Sequence, residues 1–253
     1  MKRLLLPCLL FFLLFSCRKY HDHPDKPGNA PEPPPPPKLR LKTIGANTYE
    51  YDSLGRISKV LYGNAFVAST NYTYTKTSVT AIDIDKEGIP RTSNVTTYNL
   101  ASNGLATDYR NIIDQGLPVQ ILNFTFNTER QLVEQVGGDE GKAPTLRTVY
   151  YYGKGNMDSS KTYVLPDNKL VQQERFEYYT DRKNTLTNEV NGISWLGAGN
   201  VNLLKKQTRI NFAATTAIEY TYEFDGQGRA VKSHVLTGGS PFSDLSYTYV
   251  EIP

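Results

Sequence analysis

The sequence predicts an all-β domain, an antiparallel meander of β-hairpins curled into a barrel or half-barrel, set behind a secretory leader and a proline-rich tether. Three observations predict it. Aromatic residues alternate with polar ones at period two from Leu39 onward, the aromatic pairs recur at a fixed interval, and turn-forming residues punctuate the alternation. The 253 residues accordingly divide into a leader at 1–16, a tether at 17–38 and a repeat domain at 39–253.

The leader opens with Met1-Lys2-Arg3, continues as an apolar run from Leu4 to Phe15 and stops at Ser16-Cys17, the three-part layout of a secretory signal. The run is too short for a membrane helix, which needs roughly 20 apolar residues. Leu14-Phe15-Ser16-Cys17 resembles the bacterial lipobox, which implies cleavage after Ser16 and lipidation (palmitate included) of Cys17 as the first mature residue. Because Cys8 leaves with the leader, no thiol remains for disulfides, thiol catalysis or metal ligation. The formal charge of +3 falls to about +1 once Lys2 and Arg3 are removed, and the remaining bases are scattered among acids. Nucleic acid is therefore not expected as a partner, since phosphate binding calls for a concentrated basic face.

From Arg18 to Lys38 the chain is charged and proline-rich, with five prolines at 33–37, and cannot build a core. An extended polyproline segment of this length, at about 3.1 Å per residue, holds a folded domain up to roughly 60 Å from the lipid. His21 and His23 carry the spacing of a metal pair, but in such a tail they read as solvated side chains. No metal and no cofactor is expected.

The repeat domain shows the same aromatic element eight times, as Tyr49/Tyr51, Tyr72/Tyr74, Tyr98/Leu100, Phe124/Phe126, Tyr150/Tyr152, Phe176/Tyr178, Tyr220/Tyr222 and Tyr247/Tyr249. The copies at 72, 98, 124, 150 and 176 are spaced by 26 residues, which accommodates one β-hairpin per repeat. Asp52-Ser53-Leu54-Gly55, Lys154-Gly155-Asn156, Pro166-Asp167-Asn168 and Asp225-Gly226-Gln227-Gly228 supply turn residues where strands should reverse. In the clearest strand, Ile218, Tyr220, Tyr222 and Phe224 share a buried face, while Glu219, Thr221, Glu223 and Asp225 share a wet one. A meander of about 14 to 16 such strands accumulates twist and must curl. Strands of this length also suit a transmembrane β-barrel, but a tyrosine-built face belongs at membrane interfaces rather than against acyl chains.

Tyr49-Glu50-Tyr51-Asp52-Ser53-Leu54-Gly55-Arg56-Ile57 and Tyr222-Glu223-Phe224-Asp225-Gly226-Gln227-Gly228-Arg229-Ala230 look like the YD-type repeat, Tyr-x-Tyr-Asp-x-x-Gly-Arg-aliphatic. With the lipobox, the proline tether and the Trp195-Leu196-Gly197-Ala198-Gly199-Asn200 loop, residues 39–253 resemble a family of secreted Gram-negative lipoproteins of unknown function with a porin-like fold. That resemblance implies the fold and an outer-membrane, lipid-anchored address on the periplasmic or cell-surface face. It implies no activity; in the shells of large toxins the same repeat is structural.

Several features could carry chemistry. Asp83-Ile84-Asp85-Lys86-Glu87-Gly88 has the first half of a calcium loop, but its twelfth position is Asn94 rather than a bidentate Glu, and Glu87-Gly88 reads better as a hairpin turn. The interval from Phe176 to Tyr220 is 44 residues, so an insertion of about 18 interrupts the repeat near Asn191 to Lys206 and carries the only tryptophan, Trp195. It reads first as a plug sealing the apolar interior and second as a ligand-stacking lid. Trp195, Tyr150, Tyr152, Tyr178, Tyr220 and Tyr222 are the candidate ligand-binding residues, since tyrosine rings stack on glycans or planar ligands as readily as they fill a core. His234 is the one histidine of the domain and has no nucleophile motif beside it. No catalytic residue is therefore assigned, although a carboxylate-only glycan hydrolase would leave no spacing to detect. The expected role is a non-enzymatic binding or scaffold lipoprotein, its partners a membrane through the lipid and a glycan, an apolar ligand or an envelope protein. The rival is a purely structural surface protein.

Overall fold

The computed structural model describes residues 38–63, 66–113 and 117–252. The expected leader, the expected lipidation site at Cys17 and the His21/His23 pair lie outside the described residues. The described chain forms β1 (Lys38–Ile44), β2 (Asn47–Tyr51), β3 (Ile57–Leu61), β4 (Val67–Tyr74), β5 (Ser78–Asp85), β6 (Pro90–Leu100), β7 (Ala106–Ile112) and β8 (Gln120–Phe126). It continues with β9 (Leu132–Asp139), β10 (Leu146–Gly153), β11 (Asn156–Val164), β12 (Lys169–Lys183), β13 (Asn202–Asn211), β14 (Thr215–Phe224), β15 (Ala230–Thr237) and β16 (Ser240–Ile252). All sixteen pair antiparallel with their neighbours in sequence, and β1 pairs with β16, so the meander closes into a complete barrel rather than a half-barrel.

The aromatic repeat decides which face turns inward. Every even-numbered strand brings its pair to the inner face, and ladder partners carry that face round the wall: Tyr74 opposite Val79, Val79 opposite Tyr98, Tyr98 opposite Tyr109, Tyr109 opposite Leu122. The outer face carries the alternating charges, joined in cross-strand pairs such as Arg147–Glu134 at 2.6 Å, Lys206–Glu219 at 3.1 Å and Lys232–Asp244 at 3.0 Å. The face assignment read from β14 holds, with Tyr220, Tyr222 and Phe224 inside opposite Val235, Ser233 and Ala230.

In six of the eight pairs the second residue is a tyrosine, and its hydroxyl explains the choice; only Leu100 and Phe126 lack one. The hydroxyl donates to a main-chain carbonyl of the preceding strand: Tyr51 to Leu41 and Tyr74 to Ile57 at 2.5 Å, Tyr152 to Leu132 and Tyr178 to Met157 at 2.9 Å. Tyr222 to Leu204 at 3.0 Å and Tyr249 to Ala230 at 2.7 Å complete the set. A phenylalanine would leave each of these carbonyls without that donor, at about 1–3 kcal/mol where the site is buried. Burial pushes these phenols upward, Tyr152 to about 12, and does the same to Tyr98 elsewhere on the inner face. A neutral phenol is thus favoured by the fold, and its contribution is intact below the unfolded value near 10. It is lost as pH rises from about 10 toward 12. Circular dichroism and phenolate absorbance, followed together through that window, should show these inner-face phenols ionising in the step that loses the barrel signal; ionisation of the full complement of phenols while that signal persists would refute it.

The two full YD motifs are turn locks. In the first, Asp52 Oδ1 accepts the Leu54 and Arg56 amides at 3.0 and 2.9 Å, Arg56 Nε donates to Oδ2 at 2.7 Å, and the guanidinium lies 4.0 Å over the Tyr74 ring. Asp225 repeats this with Gln227, Arg229 and the Tyr249 ring. Burial works against ionisation of Asp52, yet the Arg56 bonds hold its carboxyl below the usual aspartate value. The required left-handed residue is Gly55 at φ 75° and Gly228 at φ 77°. The same backbone turn occurs at Ala101–Leu105 and Asn127–Gln131 with no acidic side chain at its first position, which is why those copies are hard to see in sequence. Asp85–Ile89 is a further copy, so the acidic run from Asp83 to Gly88 ends in a hairpin turn.

The insertion expected near Asn191 to Lys206 instead occupies 184–201. β12 extends its pairing to Lys183 and β13 begins at Asn202, so strand continuation absorbs the residues assigned to the loop's far side.

Candidate functional site

Residues 184–201 run across one end of the barrel, the end at which Lys38 enters, and are stitched to strands all round its circumference. The Leu41 amide donates to Val190 O at 3.1 Å, Ile57 to Gly192 O at 3.1 Å, Ala198 to Arg130 O at 2.8 Å and Val201 to Gly155 O at 3.3 Å. Thr185 Oγ1 accepts the Ala230 amide at 3.1 Å. Five separate parts of the wall thus hold one segment, which acts as a plug.

The plug presents two faces. Its inner one carries Asn191, Ile193, Trp195 and Leu196, while Gly192, Ser194 and Gly197 line the opposite side. Trp195, on a single 3-10 turn from Ser194 to Leu196, is 4% exposed and packs into a cluster with Ile57, Val60, Val79 and Ala106. Its ring neighbours are Tyr74 at 5.7 Å, edge-on, Tyr98 at 6.1 Å and Tyr72 at 6.4 Å.

The interior beside Trp195 is not solid. One void of about 260 Å³ is walled by Trp195, Tyr72, Tyr98, Asp83, Asn94 and Thr96, among others. A second, also about 260 Å³, lies among Tyr49, Tyr62, Ile44, Asn191 and the shared Tyr72 and Ile193. Each is a little smaller than the roughly 300–1,000 Å³ of drug-sized ligand sites, a size that suits a single small ring. Two fully buried polar atoms on the plug, Trp195 Nε1 and Asn191 Oδ1, have no hydrogen-bond partner among the described residues. Buried polar atoms are nearly always paired, so each such orphan calls for an explanation. The remaining polar wall is held in place: Asp83 accepts Thr70 Oγ1 at 2.5 Å through one oxygen and the Asn94 amide through the other. Burial pushes the Tyr72 and Tyr98 phenols upward, so both are neutral hydroxyls at physiological pH.

Of the sequence-nominated residues, Trp195 lines this chamber. Tyr152, Tyr178 and Tyr222 are engaged in the carbonyl bonds described above. Tyr150 donates to Gln135 Oε1 at 3.2 Å. Together with Tyr220 it faces another interior row, where Glu174 accepts Gln207 at 3.0 Å and Arg209 at 2.8 Å. Tyr49, Tyr72 and Tyr98, the chamber's aromatic walls, carry the same repeat signature and no local signal to distinguish them. His234 lies on the outer face, bridging Asp244 and Glu223 at 2.9 Å each. Those bonds push its pKa up and use both ring nitrogens.

No protein-family model matches the chain, and neither does any curated protein. Among solved structures it is similar to a porin-like protein from Bacteroides uniformis, with 16% identity and a TM-score of 0.54 over 84% of this chain and 95% of that one. It is also similar to a porin-like protein from Bacteroides vulgatus, with 13% identity and a TM-score of 0.59 over 84% of this chain and 99% of that one. At these identities the likeness shows a shared porin-like β fold.

Proposed function

We propose that the chain is a non-enzymatic binding protein of the outer membrane, anchored by lipid at Cys17, that holds a small polyhydroxylated ligand, a sugar first of all, in the chamber beside Trp195. The observation that carries this reading is the pair of buried orphans, an indole N–H donor and an amide oxygen acceptor, flanking voids walled by tyrosine rings. Aromatic faces suit the C–H surface of a sugar ring, and Asp83, Asn94 and the neutral Tyr72 hydroxyl suit its hydroxyls. Lipid anchoring is preferred to barrel insertion because the outer face carries ion pairs along the strands, and a basic residue at a bilayer midplane costs about 2–4 kcal/mol.

Trp195 is the only tryptophan, so fluorescence excited beyond the tyrosine absorption band reports this site. Titration with a panel of mono- and oligosaccharides, beside apolar probes, should give a saturable shift with a sugar. Asn191→Ala should abolish it. Silence from every sugar in both fluorescence and thermal stabilisation would leave the structural reading, and turnover of any of them would make the protein a hydrolase.

A further inference from the structure

The outer face of the plug forms the floor of a second, larger cleft, of about 610 Å³, at the Lys38 end of the barrel. Its walls carry five cations, Lys38, Arg40, Arg56, Arg130 and Lys183, against one lining carboxylate, Glu189. Counting also Asp52, which pairs with Arg56, five positive and two negative charges leave an excess of three. Elsewhere on this barrel, bases are interleaved with acids in cross-strand pairs. Like charges gathered in one concavity repel, and an anion placed among them relieves that repulsion.

The cations are positioned for such an anion. Arg40, 7% exposed, is fixed by Nε on Gly55 O at 2.7 Å and Nη1 on Leu39 O at 2.9 Å, which leaves the rest of its five-donor fork available. Arg130 spends Nη1 on Asn103 O at 3.2 Å, and Lys183 makes no ion pair among the described residues. The floor is built from Gly192, Ser194, Gly197 and Gly199, small enough for a ligand to approach the backbone. The Gly199 and Asn200 amides donate to no acceptor among the described residues, and successive unspent backbone N–H groups in a loop are natural oxyanion donors.

We propose that this cleft binds a phosphate or sulfate group, carried on a lipid headgroup or on a soluble glycan. Guanidinium forks match the tetrahedral oxyanion bidentately, and lysines supply the remaining charge. The site is separate from the chamber behind Trp195, and the plug segment is the wall between them.

The test is calorimetric titration of the full chain in neutral detergent with inorganic pyrophosphate, inorganic sulfate, and anionic or zwitterionic phospholipid added to the micelles. Saturable binding of pyrophosphate or sulfate, weakening with salt, is expected, and a Lys183→Gln/Arg130→Gln double variant should lose at least tenfold in affinity. Equal binding of the free anions and the anionic lipid assigns a soluble source; binding of the anionic lipid alone assigns a headgroup. Binding of neither, or binding undiminished in the double variant, overturns the proposal. Should that variant not fold, lysine acetylation of the unaltered chain decides: the bound anion must protect Lys38 and Lys183 relative to Lys86, which sits at the opposite end, and uniform modification overturns the proposal equally.

Discussion

Replacement of Trp195 by alanine is expected to lower the unfolding free energy by about 3–5 kcal/mol. The ring is almost wholly buried, has three aromatic neighbours, and belongs to a segment bonded to widely separated strands, so its loss leaves a cavity where the barrel end is held together. Urea denaturation followed by circular dichroism measures the effect. A loss below about 1 kcal/mol would mean that the plug does not brace the wall. Trp195→Phe separates packing from recognition. It keeps an aromatic ring but removes an indole N–H that has no partner among the described residues, so stability should change by less than about 1.5 kcal/mol while sugar binding weakens.

The second large effect belongs to Gly197. Its φ of 86° and ψ of −170° lie in a region that only glycine enters readily, and forcing another residue there costs on the order of 1–3 kcal/mol. A Cβ would also sit 2.4 Å from Arg130 O and 2.6 Å from the Phe126 ring, adding about 1–3 kcal/mol of overpacking. Gly197→Ala should therefore cost about 3 kcal/mol or more and speed proteolysis within 184–201. Gly226→Ala is the control, because its Cβ would meet nothing within 4 Å and its φ is not left-handed, so it should stay within about 0.5 kcal/mol. Equal stability of the two variants would remove the plug's role.

The barrel wall was legible because its information is local. Period-two alternation and the 26-residue interval place Tyr72, Tyr98, Phe124, Tyr150 and Phe176 on equivalent inner positions, and Asp52-x-x-Gly55-Arg56 encodes its turn within five residues. Closure was not, since the pairing of Leu41 with Tyr249 depends on accumulated twist and stagger that no spacing records. The chamber was half legible. Trp195 stood out as the sole tryptophan in a break of the repeat, but the strands its ring reaches depend on how far 184–201 crosses the barrel. The nominated Tyr152, Tyr178 and Tyr222 instead bond to carbonyls on the wall, whereas Tyr72 and Tyr98 meet the indole. The basic cleft was invisible for the same reason: Lys38, Arg130 and Lys183 are far apart in a chain whose overall charge is close to balanced.

The seam between the first and last strands has a kinetic corollary. Thr43 and Thr248 share a hydrogen bond across 205 residues, so the ring is completed only after nearly the whole repeat domain has left the ribosome. Until then a nascent chain holds two unpaired strand edges, which are templates for intermolecular association. High contact order slows such closure, so both edges stay open until β16 finds β1.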